Sequence, residues 1–154
     1  MEIQQILSSD AVLPALKVTS KKQLLKEVSK KAAELLDRDE RDVFDILVER
    51  ERLGSTGVGH GVAIPHGRLN GLEQVTMLFA RLETPVDFEA VDDQPVDIVC
   101  VLLASETAGA DHLKALAKIS RLMRKPSTLE RLRGSNNSEA IYALLTEQIE
   151  SKAA

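Results

Sequence analysis

Two kinds of hydrophobic spacing divide the chain. In 21-KKQLLKEVSKKAAELLD-37 the residues Leu24, Leu25, Val28, Ala32, Leu35 and Leu36 recur at helical intervals and form one apolar stripe. Ser20, with Gln23 three residues later, supplies a capping-box start in which the hydroxyl satisfies an orphan amide of the first turn. A second helix is predicted over 40–53, with Asp39 as its N-cap. Beyond residue 70 the spacing changes. The run 74-QVTMLFARL-82 is β-branched and apolar and predicts a strand, and 86-VDFEAV-91 alternates, predicting a short strand at a sheet edge. The run 96-VDIVCVLLA-104 is continuously apolar, as in a strand buried on both faces. Three more helices are predicted over 111–125, 128–133 and 139–151, with Pro126 closing the first and Ser127 and Glu130 capping the second. Helices on both sides of a central block of strands predict a layered α/β domain whose helices cover a mixed sheet.

Neither spacing describes 54-GSTGVGHGVAIPHGR-68, which holds five glycines, a proline and two histidines in fifteen residues. Gly54 and Gly59 have the gap of a P-loop, but His60 and Gly61 follow where lysine and a hydroxyl residue belong. The dinucleotide fingerprint fails too, because Val62 stands where its third glycine should be. Both motifs also follow a strand, and this stretch follows a helix. A zinc site built from His60, His66, His112 and Asp111 matches no familiar ligand spacing. Metal binding is therefore not expected.

What remains is a histidine acting as nucleophile or base. In 63-AIPHG-67, Pro65 fixes its own φ and biases Ile64 toward an extended conformation. Gly67 then permits a turn closed to most residues, so His66 is presented on a loop with its ring fixed. A turn histidine without a role is the competing reading. On the second helix Val43, Ile46, Leu47, Arg50 and Leu53 share one face, opposite Asp45, Glu49 and Arg52. Arg50 thus carries its charge on the side to be buried, where it needs an acidic partner or a bound phosphoryl group. His112 shares a mostly apolar face with Leu116, Ile119 and Met123 and should point inward from a first helical turn. It is either a core histidine or part of a site at the end of the preceding strand.

Composition narrows the class. Aromatics are 3% with no tryptophan, which removes stacking platforms for single-stranded nucleic acid. The 20 basic and 24 acidic residues leave a net charge of −4, which also argues against a nucleic-acid binder. Cys100 is alone in an apolar run, so no disulfide framework exists. No stretch reaches the eighteen apolar residues of a membrane span, and the N-terminus lacks a signal-peptide pattern. The expectation is a cytoplasmic protein with one domain over 1–154, without repeats or linkers.

Taken together, 49-ERERLGSTGVGHGVAIPHGR-68, 83-ETPVDFEAVDDQPVDIVCVLL-103 and His112 are similar to the enzyme IIA component of the phosphoenolpyruvate-dependent phosphotransferase system, fructose/mannitol superfamily. The phrase 92-DDQPVD-97 resembles the nitrogen-regulatory branch most. The resemblance implies a mixed, roughly five-stranded sheet sandwiched between helices, the mannitol-type fold. It implies that His66 accepts a phosphoryl group on Nε2, that His112 is the second active-site histidine, and that Arg50 helps bind the group. It implies a small HPr-like carrier as donor, itself charged by an enzyme I, and regulated target proteins downstream. No cofactor is implied. The resemblance implies asparagine or another polar residue at the position of His60, which leaves that residue without a catalytic assignment. A free-standing sugar-specific IIA protein and a binding module working without phosphotransfer are the alternatives.

Overall fold

A computed structural model describes residues 1–153, with side chains described for residues 1–146. A short helical turn α1 (Ile3–Ile6), a 3-10 turn and strand β1 (Val12–Leu16) precede the long helices α2 (Lys21–Leu36) and α3 (Glu40–Arg52). The glycine-rich stretch holds three short strands, β2 (Gly57–Gly59), β3 (Val62–Ala63) and β4 (His66–Arg68). Strands β5 (Thr76–Val86) and β6 (Val96–Ala104) follow, then α4 (Gly109–Leu122), α5 (Pro126–Arg133) and α6 (Ser138–Ala153).

The predicted caps of the long helices are present. Ser20 Oγ accepts from the Gln23 amide at 3.1 Å, and Asp39 Oδ1 accepts from the Arg41 amide at 2.8 Å. The return arm of the first cap lands one residue early, since Gln23 Oε1 accepts from the Thr19 amide at 2.7 Å. Leu24, Leu25, Val28 and Ala32 of α2 are buried, as their spacing predicts, whereas Leu35 lies at the exposed edge of the stripe.

The sheet is mixed and its order is β1-β5-β6-β3-β2, with β4 also paired to β6. Six strands therefore stand where about five were expected, but they occupy five positions. β3 and β4 both run parallel to β6, in registers Val62↔Ile98 and His66↔Leu102, and so continue one another along the same neighbour. Ile64 and Pro65 interrupt them, and the Pro65 carbonyl still accepts from the Leu102 amide at 2.9 Å. β6 is buried on both faces except at Asp97, which accounts for its continuous apolar run.

Three expectations change. Residues 86–91 do not form a separate edge strand: Val86 ends β5 opposite Val96. Their alternation is real, because Val86, Phe88 and Ala90 are all buried, but the last two point inward from an irregular segment. Pro126 opens α5 at its first position instead of closing α4, where its missing amide costs nothing. The N-terminal strand β1 was not anticipated; Pro14 is tolerated there because β1 is an edge strand.

The two-residue link between β2 and β3 is His60-Gly61, with φ of 58° and 79°, as a type I′ hairpin requires. Residues of 92-DDQPVD-97 clamp it. Asp92 Oδ2 accepts from the His60 amide at 3.0 Å, and the Asp97 amide donates to the Gly61 carbonyl at 3.0 Å. Arg133 pairs with Asp97 at 2.9 Å and donates to the His60 carbonyl at 2.6 Å. A methyl on Gly61 would both strain the backbone and collide with the Arg133 guanidinium. Gly61→Ala should lose roughly 1–3 kcal/mol of unfolding free energy in urea titration. His60→Asn should be at least as stable as wild type, because asparagine is favoured at that turn position.

Candidate active site

His66 opens β4, so it stands on a strand and not on the loop predicted for it. Its Nδ1 lies 2.8 Å from the Ile64 carbonyl, and its Nε2 lies 3.2 Å from Arg50 Nε. A carbonyl can only accept and a guanidinium can only donate, so the tautomer follows: Nδ1 carries the proton and Nε2 keeps its lone pair. Arg50 also donates through Nη1 to the Gly54 carbonyl at 2.9 Å. Among the described residues no carboxylate pairs with Arg50.

Gly67 makes this contact possible, for a reason other than the one predicted. It has no positive φ and no turn to make. A methyl at Gly67 would instead overlap Cγ2 of Ile46 on α3. One helical turn beyond Ile46 comes Arg50, so bare backbone at Gly67 lets α3 settle onto β4 and carries the guanidinium to the ring.

His112 lies in the first turn of α4, is 6% exposed, and points inward as predicted. Its ring centroid is 5.6 Å from that of His66 in an edge-on arrangement at 73°. Its Nε2 is buried with no hydrogen-bond partner, an arrangement that costs free energy unless something else fills it. Burial is the main reason the His66 imidazole sits below its ordinary value of 6.5; the Ile64 carbonyl opposes this, Arg50 adds to it and Glu51 works against it. His112 is also held low, first by burial and then by His66 and Arg68.

Around these groups is an open cleft of about 500 Å³. Glu49, Arg50, His66, Arg68 and His112 are its polar lining residues, and Leu53 and Leu113 are among the apolar ones. Leu53 was expected on the buried face of α3 but is 84% exposed. The buried face takes Glu51 instead, four residues after Leu47 on the same helical side, a spacing that could have identified it. The Glu51 carboxylate is 6% exposed, pairs with Lys21 Nζ at 3.0 Å and accepts from the Thr56 amide at 3.1 Å and from the Thr56 hydroxyl. It thereby ties the end of α3 to the start of β2.

The structure brings His66, Arg50 and His112 together and leaves His60 in the hairpin turn, clamped by Asp92 and Arg133. Among the described residues no three His, Cys, Asp or Glu side chains converge as metal ligands. No helix among them is long and apolar enough to cross a membrane.

Residues 5–148 match the model of the family described as "Phosphoenolpyruvate-dependent sugar phosphotransferase system, EIIA 2". A nitrogen regulatory protein of Bradyrhizobium diazoefficiens is 57% identical over 145 residues, covering 94% of this chain and 95% of that protein. The crystal structure of nitrogen regulatory protein IIA-Ntr from Neisseria meningitidis superposes with a TM-score of 0.89 at 39% identity, covering 94% of this chain and 99% of the other. The mannitol IIA protein of Escherichia coli shares the fold, with a TM-score of 0.76 at 18% identity over 90% of this chain and 97% of its own.

Two outcomes are expected from the geometry. Both imidazoles, half-buried His66 and buried His112, bind protons less readily folded than unfolded, so acidification should destabilise the fold. Their contribution is fully present above the ordinary value of 6.5 and is lost as pH falls toward the depressed folded values. Unfolding free energy measured from pH 7.5 to 5 should fall, and replacing both His66 and His112 by glutamine should flatten that slope. Gly67→Ala should push α3 away and remove the Arg50 contact. The NMR titration midpoint of His66 should then move up, with roughly 1–3 kcal/mol of stability lost to overpacking.

Proposed function

We propose, from the premise that the chain belongs to the EIIA 2 family of the phosphoenolpyruvate-dependent sugar phosphotransferase system and to its nitrogen-regulatory type, that it carries a phosphoryl group on Nε2 of His66. The donor is a small HPr-like phosphocarrier, itself charged by an enzyme I, and the modified protein regulates its targets by its phosphorylation state. The unit that does this is the single domain over 1–154, acting in the cytoplasm. The observation that carries the reading is the lone pair on His66 Nε2, left unprotonated because Nδ1–H is engaged by the Ile64 carbonyl.

The reaction asks little of the protein beyond position and charge. Phosphoryl transfer passes through a loose transition state stabilised mainly by donors aimed at the phosphoryl oxygens. Arg50 stands at the reacting nitrogen and needs only to shift from Nε2 to an oxygen bound to the incoming phosphorus. His112 supplies the second contact through its unpartnered Nε2, which becomes satisfied when the phosphoryl group arrives. Each charge-assisted hydrogen bond is worth about 1.5–3 kcal/mol, enough to accelerate transfer without trapping the group. The chemistry uses no cofactor and no metal. Phosphorylation adds about −1.5 to −2 charges at the cleft, where exposed Leu53 and Leu113 would meet a partner, and so switches contacts.

Incubation with a phosphorylated HPr-like carrier should place one acid-labile, base-stable phosphate on His66, and His66→Ala should take up none. An acid-stable ester, or undiminished labelling of His66→Ala, would sink the assignment. His112→Ala should slow transfer by roughly tenfold or more while unfolding close to wild type. Equal transfer rates would remove His112 from the mechanism.

A further inference from the structure

Strand β4 carries His66 and Arg68 two residues apart, so both side chains leave the same face of the sheet. Gly67 between them faces α3, where Ile46 fills the place of its missing side chain. On the face that His66 and Arg68 share stands His112, from α4, whose imidazole is held down by burial and then by both of these neighbours. The Arg68 charge is therefore felt at the His112 ring. Arg68 also lines the cleft and is exposed to it.

Nothing among the described residues explains this cation. No carboxylate pairs with its guanidinium and no hydrogen bond engages it. Glu49, the carboxylate of the cleft, is already paired with Arg52 at 2.9 Å. Arg50, by contrast, is anchored to Gly54 and His66 from the α3 side. A phosphoryl group on Nε2 would carry oxygens that one guanidinium cannot cover, and the unoccupied cation lies on the β4 side of that position.

We propose that Arg68 is a second phosphoryl-contacting residue, closing on the group from β4 while Arg50 holds it from α3. The proposal rests on the phosphocarrier reading of His66. In the transfer step the bond between phosphorus and the donor nitrogen breaks, and its electron pair stays on that nitrogen. A donor ring protonated on its other nitrogen leaves as neutral imidazole. The lone pair of His66 Nε2 forms the new bond, and the proton stays on Nδ1, donated to the Ile64 carbonyl, so the positive charge passes to the His66 ring. Both guanidiniums only donate hydrogen bonds, and neither loses a proton.

The test uses two donors, because a contact with the phosphoryl group and a contact with the carrier protein differ there. Phosphoramidate brings the same group without a protein surface. With phosphoramidate and with phosphorylated HPr-like carrier alike, Arg68→Gln should label His66 roughly tenfold or more slowly than wild type, the order of one charge-assisted hydrogen bond. Arg68→Lys should recover part of the rate with both donors, since it keeps the charge but not the fork. Wild-type labelling of Arg68→Gln by phosphoramidate would overturn the proposal, and a defect confined to the carrier reaction would assign Arg68 to protein docking instead. If wild type itself gained no phosphate on His66 from either donor, the phosphocarrier reading would fall, and this proposal with it.

Discussion

The packing of Ile46 against the bare backbone of Gly67 is the contact on which the rest of the site depends. It sets how closely α3 approaches β4, and with that distance it sets where Arg50 ends. Apart from His112, which α4 brings, the side chains that meet the ring are fastened to one of these two elements. The Ile64 carbonyl orients the ring from the strand side, while Glu51, Lys21 and Thr56 tie the end of α3 to β2. β3 and β4 are too short to hold themselves, so their position comes from β6, the most deeply buried strand of the sheet. A strand fixed by the core and a helix fixed by a missing methyl thus meet at one imidazole nitrogen.

The parts legible in the sequence were those with a period or a chemical signature of their own. The stripe of α2, the apolar run of β6 and the inward face of His112 all follow from repeated spacing and its burial. The pairing of Arg50 with His66 was foreshadowed by a charge on a face due to be buried. The parts that were hidden depend on partners far away along the chain. Gly67 looks like a turn residue until Ile46 is placed over it, twenty-one positions upstream. β2, β3 and β4 have two or three residues each, too few to show alternation, and exist only as pairings. In 86–91 the alternation was read correctly as burial but wrongly as pairing, because a buried face needs no ladder.

The glycines of the central stretch also exchange one explanation for another. Their number suggested a nucleotide loop, whose patterns they fail; three of the five are used for internal packing instead. Gly57 makes room for Ala90, Gly61 for Arg133 and Gly67 for Ile46. His60 belongs to the same economy of space: it occupies a left-handed turn position and contributes its amide and carbonyl to the clamp. That role uses the backbone of His60, a turn position that asparagine also suits, and gives its imidazole no part in the cleft.

The hydrogen bond from Arg50 to His66 Nε2 has two opposed consequences for the proposed chemistry. It helps keep the ring neutral, since a cation beside the imidazole disfavours a second positive charge. A protonated ring has no lone pair to offer, so this favours the nucleophile. Yet the same bond occupies that lone pair and must break before attack. Only a group that attracts the guanidinium more strongly than a neutral nitrogen does can release it, and a phosphoryl group carries that charge. A proton or an uncharged electrophile gains no such help. In the proposed chemistry the resting contact therefore acts as a filter, holding the nitrogen in its neutral form and exposing it to an anionic group.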